Sequence, residues 1–206
     1  MEQTIYTIGY AGFSIREFEA RLLGSGVNVL IDVRSSPFSA YHQDYNRDVL
    51  ERALRARGVY YRNYAREFGA RQTDPAYYTN GYLDFEKFAA SGPFREGVEK
   101  LSRSMEQGYR FALMCAEIDP IDCHRAILVA RAFADLGYSV IHLLPHEKSL
   151  THRQLEARLL DRYFKDRDQC SLFDAAPVDG GEEDLLAQAY RRRNAEIGYH
   201  LQEETS

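Results

Sequence analysis

The chain has no apolar run long enough to cross a bilayer, and its first residues lack the charged-then-apolar pattern of a secretory leader. No membrane contact is expected. Cysteine is scarce: the three present, an odd number, argue against a disulfide framework and for a reducing, cytoplasmic setting. There is no glycine-rich phosphate loop, no dinucleotide fingerprint and no internal repeat, and no cofactor is expected. Lysine is rare too, with Lys87, Lys100, Lys148 and Lys165 the only ones among 26 basic residues. Arginine suits bidentate phosphate contacts, but GC-rich coding gives the same bias. A net charge of −5 excludes a generic polyanion binder.

What remains is an alternation of short apolar runs and amphipathic stretches. Thr4 to Ile8, Val27 to Val33, Val59 to Arg62, Tyr109 to Met114 and Ser139 to Leu144 read as strands. Between them lie helical patterns: Ser14-Ile15-Arg16-Glu17 is a capping box opening one, Asn46 can cap another through Arg57, and Thr151 to Phe164 is the last. Ala65 to Leu83 reads as loop. The expected fold is α/β, a mostly parallel sheet with helices on both faces, over residues 1–165. Residues 166–206 read as a flexible acidic tail with a linker from Ala175 to Gly181 and a weak helix over Asp184 to Ile197.

The stretch from Ala112 to Arg125 gathers the most chemistry. A buried strand ends in a loop with Cys115, Glu117, Asp119, Asp122, Cys123, His124 and Arg125, and a helix follows. A strand end leading into a helix start is where α/β sheets place their sites. Asp122 is the expected N-cap, which puts Cys123, His124 and Arg125 in the first turn, where the dipole favours an anion or thiolate. Cys123, with Cys115 as alternative, can be a nucleophile, His124 its activator and Glu117 a general acid or base. A metal is disfavoured and none is expected: seven residues separate the cysteines, and an adjacent Cys-His pair rarely ligates one ion. The spacing from cysteine to arginine is also wrong for a phosphatase loop.

Two further loops should open on the same rim. Gly9-Tyr10-Ala11-Gly12 offers backbone that a ligand can approach, and Asp32-Val33-Arg34-Ser35-Ser36-Pro37 offers a carboxylate, a cation and hydroxyls. Asp32 joins the expected catalytic set; Gly9, Tyr10, Arg34, Ser36, Cys115 and Arg125 form the expected ligand-binding set, with Arg34 and Arg125 suited to a phosphate or carboxylate. The competing reading is that Asp32 and Arg34 simply pair with each other. Residues 41–82 interleave tyrosine and arginine, a pattern that can stack bases and hold phosphates, or else wall a core. In the tail, Gln169, Leu172 and Phe173 match the Gln-x-x-Leu-Phe peptide that docks on bacterial sliding clamps, an extended-peptide mode.

Thr7-Ile8-Gly9-Tyr10, the Asp32 to Pro37 motif, and Leu113 to Glu117 through Pro120 to Arg125 together resemble the domain-of-unknown-function 488 family, over about Thr4 to Phe164. Relatives often carry histidine where Tyr10 stands. The resemblance implies a compact bacterial or archaeal α/β domain with a pocket, and it names no reaction. The expected function is an enzyme acting on a nucleotide or nucleic acid, in DNA repair, with a sliding clamp as partner. The alternative is a non-catalytic phosphate- or DNA-binding module that recruits partners.

Overall fold

A computed structural model of the chain describes residues 3–165 and 182–201. Among the described residues eight strands form: β1 (Thr4–Gly9), β2 (Val29–Asp32), β3 (Tyr60–Asn63), β4 (Tyr78–Thr79), β5 (Tyr82–Leu83), β6 (Phe111–Cys115), β7 (Ser139–Leu143) and β8 (Ser149–Thr151). Six of them make one sheet in the order β3-β2-β6-β1-β7-β8, parallel throughout except for β8, which runs antiparallel to β7 at the edge. Every residue of β2 and β6 is buried, as a parallel sheet covered on both faces requires. β1 and β2 are parallel, with β6 inserted between them.

The helices are α1 (Ile15–Gly24), α2 (Arg47–Arg55), α3 (Ala65–Phe68), α4 (Phe85–Ala89), α5 (Gly92–Glu106), α6 (Arg131–Asp135), α7 (His152–Tyr163) and α8 (Glu182–Ile197). Ser14 and Glu17 form the expected capping box at α1, and Thr151 with Gln154 forms a second at α7. Asn46 precedes α2 as expected, but its side chain accepts instead from Ser39 N at 2.6 Å, tying down the preceding loop.

Alternation along the strands sorts the core into two layers. Ile8, Leu30, Ala112 and Met114 meet Phe18 and Leu22 of α1 and Leu50 and Leu54 of α2. Ile5, Ile31, Val33, Leu113 and Cys115 face the other way, toward Phe94 and Leu101 of α5, Leu155 and Leu159 of α7, and the helical stretch after β6. Each buried Phe or Leu contributes roughly 1.5–3 kcal/mol.

Three features were not anticipated. The segment read as loop contains α3 and a hairpin, β4–β5, turned by Asn80 (φ 50°) and Gly81 (φ 84°), the pair that a two-residue turn of that hand favours. β8 was missed because it is three residues long. The expected weak helix is present as α8 and is firmly seated: Asn194 bonds Phe85 N and Leu83 O, both at 2.8 Å, and Arg193 Nε reaches Ile121 O at 2.9 Å. The linker before it, with the rest of 166–181, lies outside the described residues.

Candidate functional site: a buried thiol cluster

β6 delivers Cys115 to the C-terminal edge of the sheet, level with Gly9 of β1. The chain then makes a tight turn at Pro120–Asp122, capped by Asp119, whose Oδ1 accepts from Ile121 N at 3.1 Å. Because Asp119 caps that turn, the helix that follows begins one residue later than the sequence suggests. Cys123 is extended (φ −136°, ψ 135°), and its carbonyl accepts from Ala126 N and Ile127 N at 3.0 and 3.1 Å. Its sulfur accepts from Arg125 N at 3.4 Å. Cys123 therefore holds the N-cap place expected of Asp122, which instead lies at the surface and pairs with Arg193. The first turns, Arg125–Ala130, are π-helical and wholly buried, a local widening that recurs at functional sites.

Around the two free, buried cysteines the contacts are close. Cys123 Sγ lies 2.8 Å from Glu117 Oε2. His124 Nδ1 lies 3.8 Å from Cys115 Sγ and 3.9 Å from Cys123 Sγ. His124 Nε2 is 3.0 Å from the Val33 carbonyl; a carbonyl only accepts, so Nε2 carries a proton, and Nδ1 is the ring atom turned to the sulfurs. Burial opposes ionisation of Cys123, yet the Cys115 thiol, the Arg125 charge and His124 outweigh it and hold the Cys123 thiol well below the usual cysteine value. Cys115 moves the other way, raised by Cys123 and by burial. Burial and Cys123 raise Glu117, and Cys123 raises His124 against the opposing effect of burial. Glu117 is exposed and His124 half-buried, while both sulfurs are buried.

Arg125, fully buried, is a scaffold for the loop: its Nη1 donates to Glu117 O at 2.6 Å and its Nη2 to Ile118 O at 3.2 Å. Gly9 lets this loop lie against β1, since a Cβ there would stand 1.6 Å from Glu117 O. Both residues were expected to bind ligand; both shape the loop.

The second motif loop lies elsewhere. Asp32 points to the α1–α2 layer, opposite Cys115, and its carboxylate accepts from Arg34 Nε (2.9 Å), Arg34 Nη2 (2.6 Å), Arg34 N (3.0 Å) and Tyr61 OH (2.6 Å). Arg34 also donates to Tyr45 O and lies over the Tyr10 ring, which stacks on Tyr45. The one cleft expected of Asp32, Arg34, Glu117, Cys123 and Arg125 is therefore two clusters on opposite faces, because neighbouring residues on a strand alternate. Val33 O joins them through His124. Ser36 is exposed and apart from both.

A third polar group was not foreseen. Thr7 Oγ1, His142, His152, Tyr190 OH and Glu156 form one hydrogen-bonded chain, with links of 2.8, 3.2, 3.0 and 3.1 Å. Its sequence signal is nil, because its members come from four elements. The interleaved tyrosines divide: Tyr45, Tyr61 and Tyr78 are core, while Tyr41 and Tyr60 are exposed. A cavity of about 390 Å³ at the β3 edge, lined by Tyr60, Arg62, Tyr64 and Tyr109, shares no residue with the thiol cluster. Gln169, Leu172 and Phe173 lie outside the described residues, as does Cys170.

Sheet order and site together define an α/β domain whose central strand ends in a cysteine–histidine–glutamate cluster. The chain belongs to the family described as domain of unknown function DUF488, whose model matches residues 14–132, the span from α1 through the thiol loop. No curated protein and no solved structure matches the chain. Among the described residues, no helix is long and apolar enough to cross a membrane.

Proposed function

We propose that the protein is a thiol-dependent enzyme in which Cys123 is the nucleophile and Glu117 carries its proton. The observation that carries this reading is the 2.8 Å contact between Cys123 Sγ and Glu117 Oε2, at an N-cap where the Arg125 amide also donates to the sulfur. The Cys123 proton passes to the Glu117 carboxylate and Sγ bonds to an electrophilic atom of the substrate. The leaving group departs with its electron pair and takes the proton back from Glu117. Cys115 donates to the developing sulfur charge, and His124 orients both sulfurs. A non-catalytic module would leave Cys123 idle, and the Glu117 contact speaks against that.

The substrate class we propose is a nucleotide or nucleic acid in a cytoplasmic repair setting. Exposed Tyr41, in the loop that follows β2 at the C-terminal rim of the sheet, supports it as a stacking group. The sliding clamp as partner rests on the Gln169-Leu172-Phe173 motif alone; titrating a clamp with the peptide Asp166 to Ala175, beside a double Leu172→Ala, Phe173→Ala control, tests it. For the enzyme, the test is intact-mass detection of an adduct after incubation with nucleotides and with damaged, single-stranded and duplex DNA. An adduct mapped to Cys123 and lost in Cys123→Ser is expected. Turnover of any of these that survives Cys123→Ser would overturn the reading.

A further inference from the structure

We propose that Cys115, Cys123 and His124 form a binding site for a thiophilic divalent ion, zinc by preference, and that the ion, when bound, masks the Cys123 thiol. This rests on Cys123 being the reactive group and adds a control over it. Sequence spacing argued against such a site, but spacing is a poor guide where a strand end and a helix cap meet. The three donor atoms lie within 4.8 Å of one another. The sulfur–nitrogen separations are 3.8 and 3.9 Å. Ligands bound at metal–sulfur and metal–nitrogen distances of about 2.3 and 2.0–2.1 Å, at tetrahedral to trigonal angles, stand roughly 3.6–3.8 Å apart. The imidazole nitrogen thus already stands at coordination-shell distance from both sulfurs.

An independent observation points the same way. His124 spends its Nε2–H on the Val33 carbonyl, 3.0 Å away, leaving Nδ1 as the ring atom directed at two sulfurs and available to ligate. Metal-binding histidines are oriented in this manner, by a backbone carbonyl on the far nitrogen. Two thiols and an imidazole suit zinc and reject magnesium or calcium, which want oxygen. Binding would release the protons of Cys115 and Cys123 to solvent, and the ion would take sulfur lone pairs that Cys123 otherwise offers a substrate. Glu117, exposed and 2.8 Å from Cys123, stands at the open side, where its carboxylate or a water completes the shell.

Cobalt is the probe, because it reports its own ligands. Adding Co²⁺ to reduced, chelator-treated full-length protein should give tetrahedral ligand-field bands and a thiolate-to-cobalt charge-transfer band, saturating at about one equivalent and bleached by zinc. Cys170→Ser should keep both bands. His124→Ala, which removes a ligand outright, should weaken binding by more than the roughly 10–100-fold that follows loss of a ligand's outer-shell support alone, and Cys115→Ser should remove about half the charge-transfer intensity. A wild-type spectrum without charge transfer, or one untouched by His124→Ala and Cys115→Ser, overturns the inference whether or not the variants fold well. Iodoacetamide labelling read by peptide mass separates this from the catalytic reading. Fast Cys123 labelling with no cobalt spectrum sinks the metal site and leaves the nucleophile. A cobalt spectrum with Cys123 no faster than Cys115 in metal-free protein does the reverse.

Discussion

The two faces of the sheet each carry a buried polar cluster at the same edge, and the two are finished differently. On the α1–α2 face, the Asp32 carboxylate meets three nitrogens of Arg34 and the Tyr61 hydroxyl, and opposite charges are matched in a fixed fork. Nothing in that carboxylate is left for a substrate. On the other face, Cys123, Glu117 and His124 meet as groups that could each hold or release a proton. A fully bonded carboxylate makes a strut; groups whose partners remain exchangeable make a candidate site. The difference also shows which kind of charged motif deserves a functional reading: one whose partners remain exchangeable.

Breaking the strut should produce the largest effect. Asp32→Asn keeps the shape and strands the buried Arg34 charge, so a loss of about 3–5 kcal/mol in denaturant unfolding is expected. Labelling of Cys123 in the surviving folded fraction should change little; a large change would mean that the two faces are not independent. Acid should come next, through the histidine chain. Burial, with neighbouring His152, Arg125 and Arg158, lowers His142, and burial with Arg131 lowers His152 to about 4. Unfolded histidine titrates near 6.5, so the unfolded chain binds more protons between the two values. Stability is then full above about pH 6.5 and falls as the pH drops toward 4, with about 2 kcal/mol lost at pH 5 from His152 alone. Melting temperature followed from pH 8 to 5 checks this, and a flat profile would contradict it.

Smaller effects sharpen the contrast on the thiol side. Cys123 should alkylate at least about tenfold faster than Cys115, because the contact between the two sulfurs, with Arg125 and His124, lowers Cys123, while that same contact and burial raise Cys115. Equal rates by peptide mass would dissolve the asymmetry. Tyr190→Phe removes the hydroxyl linking α8 to His152 and Glu156 and should cost about 1 kcal/mol, with Cys123 labelling unchanged.

Much of this was legible in the sequence, and the limits have identifiable causes. The apolar runs gave five strands of the main sheet, and Ser14 with Glu17 gave the start of α1, since both are local signals. That Cys115, Glu117, Cys123 and His124 belong together was legible from one loop. That Asp32 faces away from them was not, because a residue's face depends on pairing register between strands distant in the chain. The cap moved from Asp122 to Cys123 because Asp119 had its own turn to close, a competition between two carboxylates that spacing cannot resolve. Asn80-Gly81 was a readable hairpin signal, passed over among the surrounding tyrosines and arginines. The seating of α8 through Tyr190, Arg193 and Asn194 is tertiary, and an acidic composition hid it.

The π-helical stretch from Arg125 to Ala130 has an evolutionary corollary. Such a turn is an α-helix carrying one surplus residue, and each residue advances a helix by about 100°. Deleting a single codon within it would restore the regular winding and swing Cys123 and His124 by roughly that angle relative to Ile127 and Phe133, which anchor the helix body in the core. The sulfurs would then no longer converge on one imidazole. An ancestor one residue shorter could have owned the same sheet, the same loop and both cysteines without owning the cluster. Lineages of this fold should therefore gain or lose the chemistry by insertion and deletion at this turn as readily as by substitution of the cysteines themselves.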